Sequence, residues 1–326
     1  MANKKFSFKG VWSIIKNSFS GFSNDNVTKL SASLAYYTMF SMGPLLVMII
    51  ALCGVFFGRD AIEGKIYVQL QQFLGPDTAL QLQQIIKNAF ISGKGTVAII
   101  IGSVSLLVGA TSVFAEMQDS INRIWGLKPK PKRGWVKMLQ NRFLSFSVII
   151  SLGFLLLVSL AIASLVEALS NRLKTAYPGI TVVVFYTINL VITMGITSLI
   201  FAVIFKVLPD AKIRWRDVVA GSITTAILFM LGKFGISFYI GKSNVGTTYG
   251  AAGSLVVLLL WIYYSSIILY LGAEFTKAYA VEYGSPIMPS AYAVTTKTVE
   301  VETGHKTVQE KEQADTQVKV DGAKAV

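Results

Sequence analysis

Six stretches of the chain are apolar for about the length that a membrane-crossing helix needs, roughly 20 residues at ~1.5 Å of rise each. They fall near residues 33–57, 96–116, 143–166, 181–205, 218–240 and 252–274. Between them the pattern changes. Residues 6–22 place Phe8, Val11, Trp12, Ile15, Phe19 and Phe22 at helical spacing with Lys9 and Lys16 off that stripe. This predicts an amphipathic helix lying at a membrane interface, within an N-terminal segment of residues 1–30. Asp25 follows as an N-cap candidate for the first span. The connection 58–95 is divided at Gly75-Pro76 into two amphipathic stretches, the second with Leu82, Ile85, Ile86 and Ala89 on one face. From residue 281 the chain loses any apolar period, which predicts a disordered tail over 281–326. The expected fold is therefore all-α: a polytopic membrane domain over 31–280 with six transmembrane helices.

Composition agrees with the pattern. Of 326 residues, 53% are hydrophobic and only 14% charged, against about 25% charged in a typical soluble domain. Mean hydropathy is +0.58. The net charge of +13 matters through its placement. Sixteen Lys and Arg lie on the side holding the N-terminus and the connections 117–142 and 206–217, against seven on the other. By the positive-inside rule both termini are expected in the cytoplasm. The run KPKPKRGW at 128–135 reads as part of that anchor, with Trp135 at headgroup level, rather than as a nucleic-acid patch.

Candidate chemistry is sparse. One cysteine, Cys53, and one histidine, His305, leave no metal site and no nucleophile–base pair, so no cofactor and no enzymatic activity is expected. The polar residues that stand out lie inside the spans. Ser31, Ser33, Tyr36, Tyr37, Thr38, Ser41 and Gly43 point in nearly every direction around the first helix, leaving no lipid-facing arc on that half, and Pro44 follows. The sixth span is polar towards the same side, through Trp261, Tyr263, Tyr264, Ser265, Ser266, Tyr270 and Glu274. Two readings stand: close packing through small residues, and a vestibule opening to the cytoplasm. Tyr186, Asn189, Thr193 and Thr197 form a narrow stripe on the fourth span, suited to interhelical hydrogen bonds or to a pathway lining. Lys233 is a basic residue well inside a span, where it either snorkels or meets an anionic partner.

Several ordered motifs run along these spans. They are Asp25, LAYYT at 34–38 with Pro44 and Phe57-Gly58 behind it, NRIW at 122–125 (Asn122, Trp125), and LPDAKIRWRD at 208–217 (Pro209). YGAAGS at 249–254, LLLWIYYS at 258–265 and LGAEF at 271–275 follow. In order and spacing they resemble the YihY/virulence factor BrkB family of bacterial inner-membrane proteins, formerly called ribonuclease BN-like. The resemblance covers about residues 8–280. It implies six helices, cytoplasmic termini, an inner-membrane location, and an activity suspected to be movement of lipids or lipid-like molecules. A ribonuclease would need an acid–base pair or a carboxylate–histidine metal site, and residues 1–304 hold no histidine.

The functional expectation is a transporter or flippase-like protein for a lipid or amphipathic envelope component. Tyr36, Tyr37, Pro44, Tyr249, Trp261, Tyr264 and Glu274 would shape or gate its cavity, Lys233 would attract an anionic group, and Gly250 would permit a bent start to the sixth span. Membrane lipids are the expected partners, with envelope proteins and a second copy of the chain through Gly54-x-x-x-Gly58 as further ones. The alternative is a membrane scaffold for envelope assembly that transports nothing.

Overall fold

A computed structural model describes residues 7–57, 112–129, 178–242, 253–290 and 293–296, with isolated positions between; in the first segment side chains are described through Met42. Helix α1 spans Phe8–Asn24 and α2 Val27–Phe57. Helix α3 covers residues 112–124, followed by strand β1, Leu127–Pro129. Helix α4 is Pro178–Val207, β2 is Ala211–Lys212 and α5 is Trp215–Lys242. Helix α6 is Gly253–Glu282, and strands β3 (Met288–Pro289) and β4 (Ala293–Thr295) follow. Among the described residues, Thr187–Val207, Trp215–Ile236 and Leu255–Glu282 are long and apolar enough to cross a membrane. The expected spans 96–116, for the most part, and 143–166 lie outside the described residues, as do most of the 58–95 connection, with Gly58, and the surroundings of Gly54.

Ser7 caps α1, its hydroxyl accepting from the Gly10 N–H at 3.2 Å. The break between α1 and α2 differs from the expected one. Asp25 closes α1 instead of opening α2: its N–H donates to the Gly21 carbonyl at 2.8 Å. Asn26 then takes a left-handed φ of 53°, a conformation that asparagine tolerates better than most side chains. The Asn26 carbonyl accepts from Lys29 and Leu30 and starts α2.

Helix α1 is packed on another helix along one face. Its buried face, Gly10, Ile14 and Ser18, continues to Gly21 and packs along the end of α6. Gly10 meets Tyr283 and Gly21 meets Glu274, so the two helices run antiparallel. The Tyr283 hydroxyl donates to the Ser7 carbonyl and accepts from the Ser7 N–H, each at 3.0 Å. Phe8, Trp12, Ile15 and Phe19 face outward.

Helices α5 and α6 are joined by a reciprocal device. Thr276 lies over Gly221, and Thr225 lies over Gly272. Each threonine hydroxyl donates at 2.7 Å to the carbonyl four residues back, Thr225 to Gly221 and Thr276 to Gly272. Each hydroxyl is thus satisfied within its own helix while its oxygen rests against the opposite glycine, where no Cβ stands in the way and the backbones approach closely. The pairing order makes the helices antiparallel. Further along, the Tyr264 hydroxyl lies against Gly232.

The end of the chain departs from expectation. Helix α6 continues to Glu282, past the expected limit at 274, and the segment after it is ordered as far as Ser290 and again over 293–296. β4 pairs antiparallel with β1, Leu127 opposite Thr295, and β3 pairs antiparallel with β2, Ala211 opposite Pro289. These strands are too short for an apolar alternation to announce them. Their partners are backbone groups from distant turns, which no local period records. Residues 297–326 lie outside the described residues.

The hydrophobic core sits where α2, α3, α4, α5 and α6 converge, around Val27, Ile121, Phe205, Leu208, Val218 and Tyr270.

Candidate functional site

Two features stand at this convergence: an apolar pocket within the helices and a polar network at their ends.

The pocket has a volume of about 430 Å³ and is broadly open rather than enclosed. Five helices contribute to it: Leu34, Thr38 and Met42 from α2, Val113 and Met117 from α3, Phe201 and Ile204 from α4, Phe229 from α5, and one face of α6 that carries Leu258, Trp261, Ile262, Ser265, Ser266 and Leu269. Its walls are almost wholly apolar. The hydroxyls on it belong to Thr38, Ser265 and Ser266. Both serines donate at 2.8 Å to carbonyls of their own helix, Trp261 and Ile262, so these donors are already engaged. Aromatic rings line one side. Phe201 and Phe229 meet edge-on at 5.8 Å, and Phe229 stacks on Trp261 at 6.3 Å. Such a space suits hydrocarbon and offers little to a charged or strongly hydrated group. It is not the polar vestibule that the hydroxyl-rich sequence suggested.

The reason is visible on α2. Ser31, Leu34, Ala35 and Ser41 turn inward, whereas Tyr36, Tyr37 and Phe40 form an outward arc. Tyr36 is 59% exposed and Tyr37 40%. Tyr36 packs on Tyr37 at 5.8 Å and on Phe40 at 4.8 Å. The helix thus has the outward face that the direction count denied it, and the two tyrosines stand outside the pocket. Tyrosine supplies apolar surface with a polar tip, so it can occupy an outward position that a serine-by-serine reading treats as enclosed.

The other candidates divide. Trp261 lines the pocket, while Tyr264 is next to it, tilted at 6.3 Å from Trp261 and lying over Gly232. Lys233 is half-buried on α5, has a partner, and does not line the pocket. Asn189 and Thr193 are exposed on α4, whose inward face near the pocket carries Phe201, Ile204 and Phe205 instead. Tyr249 and Gly250 lie outside the described residues, as do the side chains of Pro44 and Tyr186.

Glu274 belongs to the second feature. It is 2% exposed, with its carboxylate against the backbone of Gly21, where a Cβ would come within 2.3 Å of Oε2. Lys277 Nζ lies 3.5 Å from Glu274 Oε2 and 3.4 Å from Asp25 Oδ2, and it donates to the Ile124 carbonyl at the end of α3. A cation at a helix C-terminus also complements the helix dipole. The Trp125 indole donates at 3.1 Å to the Ala273 carbonyl. Asp25, Trp125 and Glu274 therefore act together, tying α1, α3 and α6.

Asn122 and Pro209 belong to an adjoining cluster centred on Asp210. The Asp210 carboxylate accepts from Asn122 Nδ2 at 3.0 Å and from Gln118 Nε2 at 3.4 Å. Its N–H donates to Asn122 Oδ1 at 2.8 Å, and its carbonyl accepts from the Ser290 N–H at 2.9 Å. Asp217, the other acid of this turn, accepts from the Ser285 N–H at 3.1 Å. Asp210 and Lys277 were not singled out by the sequence reading. Gln118 and Asn122 at i and i+4 on one helix were the available signal, since that spacing puts two amides on one face.

Among the described residues no group of three or more His, Cys, Asp or Glu could hold a metal ion. The site is a scaffold of buried polar contacts, in which Glu274 Oε1 has no hydrogen-bond partner, beside a hydrocarbon-lined space.

Comparison with known proteins adds the lineage. The family described as virulence factor BrkB matches residues 18–291. A UPF0761 membrane protein of Pseudoalteromonas atlantica is 28% identical over 260 residues, covering 79% of this chain and 82% of that one. One from Aeromonas salmonicida is 26% identical over 271 residues, covering 82% and 89%. One from Paraburkholderia xenovorans is 29% identical over 260 residues, which is 78% of this chain but 57% of that longer protein. No solved structure matches the chain. With most of its length matched, from the last turns of α1 through α6 and both polar clusters, the chain belongs to the virulence factor BrkB family of membrane proteins.

Proposed function

We propose that this protein is a multi-pass inner-membrane transporter or flippase-like protein, with both termini cytoplasmic, that carries a lipid or amphipathic envelope component and performs no covalent chemistry. The observation that carries the reading is the pocket. A space of about 430 Å³, within the range of roughly 300–1,000 Å³ common for ligand sites, is built from five helices and lined by hydrocarbon and aromatic groups. An acyl or isoprenoid chain fits such a lining, and a nucleic acid does not. The polar clusters at the helix ends tie α3 and α6, which line it, to each other and to α1. Membrane lipids are the partners this reading needs.

The test is lipid scrambling in proteoliposomes, with a fluorescent lipid and an impermeant quencher. Thr38→Phe, which fills the pocket, is placed beside the unaltered protein. Protein-dependent scrambling that Thr38→Phe reduces at least severalfold, with its thermal stability retained, is the expected result. Scrambling unchanged by filling the pocket overturns the assignment of the path. Absence of scrambling for neutral and anionic lipids overturns passive lipid movement. The scaffold reading has one observation in its favour, the outward stripe of Phe8, Trp12, Ile15 and Phe19 on α1, a helix already fixed to the bundle by its other face.

A further inference from the structure

The turn between α4 and α5 displays cations outward and turns its acids inward. Residues 206–217 contain Lys206, Lys212, Arg214 and Arg216 against Asp210 and Asp217. Both aspartates are buried and bonded to the protein interior, Asp210 to Gln118 and Asn122, Asp217 to the Ser285 N–H. Lys212, Arg214 and Arg216 are exposed. Among the described residues no carboxylate is paired with any of these three.

Trp215 stands in their midst, 54% exposed, with Lys206 Nζ 5.5 Å from its ring centre. The Lys206 ammonium also donates to the Ile213 carbonyl, which holds the stem of the turn. β2–β3 pairing and the Asp210 contacts brace the same turn, so the cations are presented by a fixed frame.

Below Trp215, α5 carries an outward apolar face in steps of four residues: Val219, Ile223, Ile227 and Leu231, all exposed. A tryptophan of the kind that suits headgroup level, outward apolar residues beneath it, and guanidinium and ammonium groups with no carboxylate partner among the described residues make a site with two chemistries in register. The lower part fits an acyl chain. The upper part fits a net-negative phosphate, which arginine binds through paired N–H donors.

We infer that the α4–α5 turn is a binding site for an anionic phospholipid, its phosphate held by Lys212, Arg214 and Arg216 and its chain lying along the exposed face of α5. The site is distinct from the pocket and does not depend on transport. It gives the protein a preference for anionic over zwitterionic lipid in the leaflet that the turn meets, and it anchors the α4–α5 hairpin at a fixed depth.

Native mass spectrometry of the detergent-solubilised full chain tests this. The protein is mixed with equal amounts of phosphatidylglycerol and phosphatidylcholine of the same acyl chains, and bound lipid is counted. Preference should approach about fivefold per basic residue engaged. The triple variant Lys212→Gln, Arg214→Gln, Arg216→Gln should lose most of it, with thermal stability unchanged because all three side chains are exposed. A second triple variant, Lys9→Gln, Lys16→Gln, Lys29→Gln, removes equal charge from other exposed positions and should keep it. Equal binding of the two lipids overturns the inference, as does equal loss in both triple variants, which would mean diffuse charge attraction. Glycerophosphoglycerol, the headgroup without chains, should fail to compete at the same concentration. Full competition would mean a free-phosphate site and would also overturn the lipid assignment.

Discussion

Asp210→Ala is the sharpest probe of how the helix ends are held. The carboxylate is buried and accepts from two amides that are themselves buried, Gln118 and Asn122. Alanine removes both acceptors and leaves two N–H donors without partners. A hydrogen bond to a charged group contributes ~1.5–3 kcal/mol. The Asn122 bond at 3.0 Å is well formed, whereas the Gln118 bond at 3.4 Å is long and sits at the bottom of that range or below. Two bonds thus give about 3–4 kcal/mol. Asn122 keeps its other contact, because the donor there is the Asp210 backbone N–H, present in either variant. Asp210→Asn preserves one acceptor oxygen, and Gln118 can rotate its amide to offer an oxygen to the new NH2 group. Its expected cost is ~1–2 kcal/mol. The assay is reversible unfolding in mixed micelles by SDS titration, followed by tryptophan fluorescence. The order wild type, then Asn, then Ala, with about 2 kcal/mol between the variants, is the expected outcome. An alanine variant within 0.5 kcal/mol of wild type, a margin of about the usual scatter for surface changes, would refute the reasoning, since it would mean that the network carries no net energy.

Other perturbations follow from the same contacts. Lys277→Met should destabilise the protein by about 2 kcal/mol, below the range for a fully buried pair because Lys277 is partly exposed, and adding Glu274→Gln should restore part of the loss in the same titration. Gly221→Ala should cost ~1–3 kcal/mol, since the added Cβ would meet the Thr276 hydroxyl at 1.9 Å; combined with Thr276→Ala the loss should be less than the sum of the two. Trp125→Phe removes the donor to the Ala273 carbonyl and should cost about 1 kcal/mol, measurable as a lower thermal midpoint in detergent.

The sequence by itself determined the helices. Runs of apolar residues with few charges placed spans at 181–205, 218–240 and 252–274, and α4, α5 and α6 occupy those positions, because a helix that satisfies its own backbone in hydrocarbon needs only length and apolarity. The amphipathic period of residues 6–22 likewise became α1. Motif residues such as Asn122 and Trp125 could be picked out from the order of the motifs along the spans, though not the contacts they make.

Tertiary structure decided the rest. Which face of α2 turned inward depended on neighbours, so Tyr36 and Tyr37 went out while Ser31 and Ser41 went in. Helicity alone cannot rank a tyrosine against a serine for a place among other helices. The partnership of Lys277 with Asp25, about 250 positions away along the chain, joins residues that no period relates. The strands at 288–289 and 293–295 exist because turns after α3 and α4 offer them backbone partners. The reciprocal pairs Gly221–Thr276 and Thr225–Gly272 make the same point from the other side. Each helix carries its own G-x-x-x-T in plain sight, and only the antiparallel docking of α5 on α6 turns two short motifs into one interlocked contact.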